Sequence, residues 1–466
     1  MKKRTVFLVV FLSVFGVLSA VAQMETPSDI RDRLGIYHWG GVHLAVANEP
    51  LLDGAERVKE SGSRVINIVL SPYSDYKLGE RFETSSLTLR ARRSDYTAVL
   101  CDPGFSTVVI TAFDWATYPT MFRNLPQDPV LRSQLLEIVS AEFADLVLYV
   151  ATVCNGQTKN IIIKDWEVEN SLQINISSLD PDINKTVQWQ SYLDYIEARQ
   201  RGVLRGRERA GEAGSSVKFF NAVETANVVG LLNNQLEKSV LWQMAQRGLV
   251  VDLVSFSSWQ SMWRSGTGTT PLDVYLRVKN DAGKILDFIK ANGIAEKLFI
   301  GEFGIHYTYE ADLLRYAYDA ISENSDIVLA VKWNLYNTDE GWLGFFGDYD
   351  GSGNMTQQGA FMKEILGDRL PRINVGGVID NATHERQTQS GSIIEIYGNN
   401  LPEEIGSTRV QLTVNGASYA EAEILYTSAG QINARLPVLP ELEGKTAYIR
   451  VNNSNFQPIF IGAPGM

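Results

Sequence analysis

LFIGEFGI (298–305) is a hydrophobic run of strand length that stops on a carboxylate, Glu302, set between two glycines. IIIKDWEVEN (161–170) does the same with Glu167 or Glu169. Runs that are apolar throughout are what a parallel sheet covered on both faces requires. Working outward, comparable runs occur at Ile36–Trp39, Val65–Leu70, Thr107–Phe113, Ile161–Trp166, Lys218–Val223, Leu253–Phe256, Leu298–Gly301 and Val328–Trp333. Helical patterns stand between them, among them Pro129–Val150, Val187–Arg205, Asn234–Gln246, Leu272–Asn292 and Glu310–Ser322. Eight such alternations predict an α/β fold, a (β/α)8 TIM barrel. A doubly wound open sheet would carry a Gly-rich phosphate turn after its first strand, and Gly40-Gly41-Val42-His43 is not GxGxxG.

Ahead of the barrel, Lys2, Lys3 and Arg4 precede an apolar run from Val6 to about Leu18, then Ser19-Ala20-Val21-Ala22. Charge, a short apolar stretch and small residues in A-x-A order read as a secretory signal peptide, residues 1–22, with Gln23 the expected mature N-terminus. The run is too short to span a bilayer comfortably, so no membrane insertion is expected after cleavage, and the localisation expected is secreted or periplasmic. Two cysteines, Cys101 and Cys154, would then sit in an oxidising compartment, either as a disulfide or as two separate buried thiols. Four histidines and no CxxC pattern give no indication of a metal or other cofactor. A formal charge of −12 argues against nucleic acid as a partner and suits a neutral carbohydrate. The basic stretch Arg199–Arg209 reads as a solvated helix end, and Asp348–Asn354 as a turn rather than a calcium loop, since the far-end glutamate is missing.

In a barrel the site lies at the carboxyl ends of the strands. Those ends carry His38, Trp39, Asp114, Trp166, Asn170, Glu224, Trp259, Tyr307 and Trp333 beside the acids Glu167, Glu169 and Glu302. Aromatic rings stack on sugar faces while acids and amides bind hydroxyls, so these are the candidate substrate-binding residues. Two acids at the carboxyl ends of two buried strands suit cleavage of a glycosidic bond, one protonating the departing oxygen and the other attacking or activating water. Period-2 alternation sets Ile163, Asp165 and Glu167 on one face, which makes Glu167 the expected acid/base and Glu169 the alternative.

With the strands placed, the chain resembles the clan of retaining, cellulase-like (β/α)8 glycoside hydrolases that carry the acid/base after strand four and the nucleophile after strand seven. Gly301-Glu302-Phe303-Gly304 is similar to their strand-seven motif, which makes Glu302 the nucleophile by resemblance. Many members end strand four with Asn-Glu; here Trp166 stands where that Asn would be if Glu167 is the acid. Trp333 matches the aromatic that floors the cleavage subsite, while Phe256-Ser257-Ser258-Trp259 lacks the tyrosine that usually contacts the nucleophile. The resemblance implies an enzyme hydrolysing β-glycosidic bonds, and with the signal peptide the expectation is a secreted monomer; a barrel that binds carbohydrate without turnover, or an adhesion protein, are the alternatives.

Past Gly367 the pattern changes, giving an expected catalytic domain at 23–369 and an accessory domain at 370–466. Strand-like runs at Ser392–Tyr397, Val410–Val414, Glu423–Tyr426 and Ala447–Val451, with an Asn415-Gly416 turn, predict a small all-β sandwich. Residues 392–401 and 426–434 resemble the two signature stretches of IPT/TIG-like immunoglobulin-type modules of secreted bacterial proteins, which implies no catalytic role there.

Overall fold

Eight parallel strands close on themselves in chain order in the computed structural model: β1 (Leu34–Tyr37), β2 (Val65–Leu70), β3 (Thr107–Ala112), β4 (Asn160–Lys164), β5 (Lys218–Thr225), β6 (Leu253–Ser257), β7 (Leu298–Phe303) and β8 (Ile327–Lys332). The structure describes residues 22–38, 50–72, 86–117, 125–174, 186–233, 235–263, 270–304, 313–336, 347–350, 354–367, 371–414, 417–452 and 454–462. The chain divides into two compact units, one of Met1–Gln260, Asp281–His306 and Ser325–Thr356, the other of Ser261–Asn280, Tyr307–Asn324 and Gln357–Met466.

The first unit holds the whole barrel. Its strands are β-branched and buried on both faces, as parallel strands must be. The barrel interior is filled by Tyr37, Val69, Val109, Ile162, Ala222, Leu253, Phe299 and Val331 with Met24. One alternation nearer the carboxyl ends, the same faces carry Thr111, Lys164, Glu224, Ser255 and Gly301, so the core turns polar just below the site. The opposite faces meet helices. Asp165 accepts from Tyr192 Oη at 2.5 Å and pairs with Arg199 at 3.4 Å, both on the helix Thr186–Glu212.

That helix corrects in part the reading of Arg199–Arg209 as a solvated end. Arg199 is fully buried and donates to Asn221 Oδ1 at 2.8 Å and to the Ala222 carbonyl, while Arg207 pairs with Asp252. Arg201, Arg205 and Arg209 remain half-exposed, against Glu197 on the same helix and Glu137 and Asp145 on the neighbouring helix Pro129–Val153. The basic run is a face that ties a helix to two strands. Of the expected turn at Asp348–Asn354, residues 351–353 lie outside the described residues; Asp348 pairs with buried Lys332 at 2.6 Å, and Asp350 Oδ1 accepts from Asn354 N at 2.9 Å.

The second unit contains an eight-stranded mixed sheet in the order β10-β16-β15-β12-β13-β14-β11-β9. Its strands are β9 (Arg372–Asp380), β10 (Gln387–Gln389), β11 (Ile393–Asn399), β12 (Val410–Val414), β13 (Ala417–Thr427), β14 (Gln431–Arg435), β15 (Lys445–Val451) and β16 (Gln457–Gly462). Long β13 pairs with both β12 and β14, and the sheet curls so that Ile373, Ile394, Leu412, Ile432, Ile449 and Ile459 share one core. The expected Asn415-Gly416 turn lies outside the described residues. The same unit takes in the helix Leu313–Ser322, whose Tyr316 packs against Phe456 with ring centroids 5.0 Å apart. No helix among the described residues is long and apolar enough to cross a membrane.

Cys101 and Cys154 are joined by a disulfide that ties the ends of the helices Ser94–Leu100 and Pro129–Val153 across a sequence separation of 53. Closing a loop of that length restricts the unfolded chain. Replacing both cysteines by alanine is expected to lower the unfolding free energy by roughly 4 kcal/mol in a urea titration, the chain-entropy value for such a loop.

Candidate active site

Four strand ends supply the site. β4 ends at Lys164, two residues short of its expected limit at Trp166, and this decides where Glu167 points. By alternation Glu167 would share the outward face of Asp165, which is turned to the helices. It does not, because Glu167 takes a left-handed backbone, φ 33° and ψ 74°, at the start of the short helix Val168–Ser171. That conformation is uncommon for a side chain with a Cβ and is held by its surroundings. The Glu167 N–H donates to Glu224 Oε2 at 3.0 Å, and its side chain swings into the barrel mouth. There Glu167 Oε1 accepts from Ser257 Oγ at 2.6 Å and Oε2 accepts from Asn170 Nδ2 at 2.5 Å.

Glu302 arrives from β7 through an irregular register that sets it opposite Ser257 of β6. Its carbonyl accepts from Ser258 N at 2.8 Å and Ser258 Oγ at 3.0 Å, which fixes the backbone. Its Oε2 accepts from Trp259 Nε1 at 3.1 Å and has a long contact to Ser257 Oγ at 3.4 Å. Oε1 is buried with no hydrogen-bond donor among the described residues. The indole of Trp259 thus supplies a hydrogen bond to Glu302 where the resembled enzymes use a tyrosine. Gly304 beside it has room for no Cβ, which would lie 2.8 Å from the Trp333 carbonyl and 2.9 Å from the Trp259 ring. Trp333 stacks at a tilt on Tyr37 with centroids 4.6 Å apart, and its peptide to Asn334 is cis.

Beneath the two acids lies a third, Glu224 on β5. It has no exposed surface, accepts from Lys164 Nζ and Ser255 Oγ, each at 2.7 Å, and is the acceptor for the Glu167 N–H. Gly301 is obligatory here, since a Cβ would lie 2.0 Å from Glu224 Oε1 and 2.1 Å from Ser255 Oγ.

Electrostatics follow from this crowding. Burial, then the charges of Glu224 and Glu167, push Glu302 well above the usual carboxylate range, with Lys164 and Trp259 opposing. Burial also raises Glu167, helped by the charge of Glu224 and opposed by the Ser257 and Asn170 hydrogen bonds. Like charges in a desolvated space cannot both ionise freely, so a proton on one acid or the other is favoured over double ionisation.

The other candidates separate clearly. Glu169 is buried apart from this group: its Oε1 accepts from Thr225 Oγ1 and Val240 N and its Oε2 from Ala226 N, all at 2.9 Å, and burial lifts it to about 7. It anchors the end of β5 to the start of the helix Val240–Arg247. His38, expected to bind substrate, faces outward because Tyr37 faces in. Its ring sits over Gly54 with Nε2 3.1 Å from the Pro50 carbonyl, and burial lowers its pKa to about 4. Asp114, also expected at the cleft, folds back on its own turn and accepts from Thr117 N and Oγ1 at 2.7 Å. Trp166 lends its carbonyl to Ser171 Oγ at 2.7 Å, with its side chain half-buried. Trp39 and Tyr307 lie outside the described residues. Sequence reasoning missed Lys164 and Ser255, and placed Ser257 at the strand-six tip without giving it a role. Their signal was alternation: Lys164 follows Ile162 on the inner face of β4, and the serines occupy inner positions of β6 after Leu253. Among the described residues no group of three or more metal-binding side chains is placed to hold an ion.

No protein-family model matches this chain, and no curated protein matches it by sequence. Among solved structures it is similar to a GH5_18 protein from Bifidobacterium longum subsp. infantis, at 12% identity over 74% of this chain and 79% of that one, TM-score 0.49. A β-glucuronidase from Bacteroides uniformis is similar at 11% identity over 93% of this chain, TM-score 0.46; this chain spans 46% of that enzyme's length. An endo-β-1,4-mannanase from Thermotoga petrophila aligns at 10% identity over 94% of this chain and 97% of that one, TM-score 0.44.

A carboxyl raised in the folded state keeps its proton where the unfolded chain has lost it, so its contribution favours folding at low pH and is lost as pH rises through the folded value. Glu302→Gln removes that liability. It is expected to raise the melting temperature at about pH 8 and to have little effect near about pH 4, read by calorimetry across the range. Glu169→Ala is expected to do the opposite at neutral pH, lowering stability by about 1–3 kcal/mol for each buried donor it strands.

Proposed function

We propose that the protein is a retaining β-glycosidase acting on an oligosaccharide or polysaccharide, with Glu302 as nucleophile and Glu167 as acid/base. The observation that carries this reading is the single Ser257 hydroxyl within reach of both carboxylates, 2.6 Å from Glu167 Oε1 and 3.4 Å from Glu302 Oε2. Those oxygens are therefore no more than about 6 Å apart, the sum of the two distances. Retaining enzymes separate their carboxyls by about 5–5.5 Å, while inverting ones leave about 6.5–9.5 Å for a water between them.

Roles follow from what each oxygen touches. Glu302 Oε1 is free to attack the anomeric carbon while Oε2 stays anchored on the Trp259 indole. Burial and the charge of Glu224 raise both acids, Glu302 the more, so these roles require the proton the pair shares to stand on Glu167 when substrate is bound, from where it passes to the glycosidic oxygen as the carbon–oxygen bond breaks. The glycosyl group is then an ester on Glu302, and Glu167, now ionised, takes a proton from water as that water attacks the anomeric carbon and frees Glu302. Trp259 and Trp333 offer aromatic faces to the sugar rings.

The finer assignments belong to the same proposal. Residues 1–22 are a signal removed on export, leaving a secreted or periplasmic chain that works as a monomer; a disulfide suits that compartment. Residues 370–466 form an IPT/TIG-like accessory module of a bacterial secreted enzyme, with the sequence stretches quoted above as support.

The test is hydrolysis of a panel of aryl β-glycosides and β-linked polysaccharides by the mature protein, with the product anomer followed by NMR. The β-anomer is expected to appear first. Glu302→Gln and Glu167→Gln should each lose more than about a thousandfold in turnover on unactivated substrates. An α-anomer product, or wild-type turnover in Glu302→Gln, would refute the assignment. Sugar binding without hydrolysis would leave the non-catalytic barrel standing instead.

A further inference from the structure

We propose that Glu224, clamped by Lys164, is a positioning residue that sets both the orientation and the proton occupancy of the acid/base Glu167. The inference deepens the glycosidase reading and rests on it for its kinetic test.

A buried lysine–glutamate pair inside a barrel is often a net cost compared with apolar residues of the same size. Stability therefore does not explain this one. Its geometry points elsewhere. Both side chains are without exposed surface, and each oxygen of Glu224 is committed: Oε1 to Lys164 and Ser255, Oε2 to the backbone N–H of Glu167. That N–H belongs to the one residue at the site with a left-handed backbone, the feature that turns Glu167 from the helix face to the barrel mouth. The Glu224 carboxylate is the acceptor that pins the turn. The barrel has given up a side chain at Gly301 to make room for it. The Glu224 N–H is itself held by Asp165 Oδ1 at 2.8 Å, so strands β4 and β5 grip one another on both sides of the turn.

The charged groups around Glu167 form a short series. From β4 come Lys164 and, on the outer side, Asp165 with Arg199; from β5 comes Glu224; from β7 comes Glu302; β6 offers only Ser255, Ser257 and Trp259. Tyr37 of β1 faces Lys164 with its ring, 5.6 Å from Nζ. The negative charge of Glu224 keeps protons on the two acids above it, and the positive charge of Lys164 opposes it. Removing one member of the pair unbalances the site in a known direction.

The experiment compares Glu224→Gln, Lys164→Met and the double variant with the wild type, each checked for folding by circular dichroism. Infrared difference titration of the carboxyl bands reads protonation without needing any substrate. Glu224→Gln is expected to move the buried carboxyl titration, and both limbs of the kcat/KM pH profile, acidward by about one unit or more. Lys164→Met should move them alkaline, and the double variant should return them toward the wild-type position. Loss of acid placement should also show as a larger fall on glycosides with poor leaving groups than on dinitrophenyl glycosides, which need no proton. Shifts of the same sign in both single variants, or an unchanged titration in a folded Glu224→Gln, would overturn the inference. Wild-type protein with no turnover would sink the glycosidase reading while the infrared titration still decided the role of Glu224.

Discussion

A lysine and a glutamate meet inside the barrel with no exposed surface, and the arrangement above them depends on that pair. Lys164 and Glu224 are both fully buried and 2.7 Å apart. Such a pair persists only where each remaining polar atom finds a partner. Ser255 and the Glu167 backbone N–H meet that requirement for Glu224. Gly301 leaves the volume it needs. Glu167 turns inward because its N–H reaches down to Glu224, and Glu302 faces it because β6 and β7 are pinned through Ser258. The two acids then share Ser257 as neighbour, and their separation follows from where these strands end.

The site's charge balance is the chemical consequence. Three carboxyls and one ammonium are enclosed together, which disfavours full ionisation and keeps a proton on the acid pair. A retaining glycosidase needs that state at rest, one acid carrying a proton and one ready to attack. The arrangement works against stability, the usual relation between a prepared site and the fold that carries it.

The barrel was legible because parallel strands are uniformly apolar and the helices between them are periodic. Val65–Leu70 was read with the bounds it has, and the other strands within a few residues. Glu302 was legible as an acid at a buried strand end. Glu167 was chosen by alternation with Asp165, and that argument fails: Asp165 faces Arg199, and Glu167 reaches the site through a left-handed turn that no period-2 pattern encodes. His38 and Asp114 looked like cleft residues because they sit at strand ends, yet one packs on a helix and the other closes its own turn. Lys164 was hidden in a hydrophobic run, where its partner is sixty residues away and pairing is a tertiary fact. In the C-terminal sheet, β9, β10, β14 and β16 escaped notice because half-buried edge and hairpin strands carry weaker patterns than barrel strands.

The most direct measurement is mass spectrometry of the protein after incubation with activated 2-deoxy-2-fluoro β-glycosides, which slow release of a glycosyl ester. A single added sugar mapped to the peptide containing Glu302 is the predicted result. A label on Glu167 or Glu169, or hydrolysis of the parent glycosides with no ester ever trapped, would contradict the account.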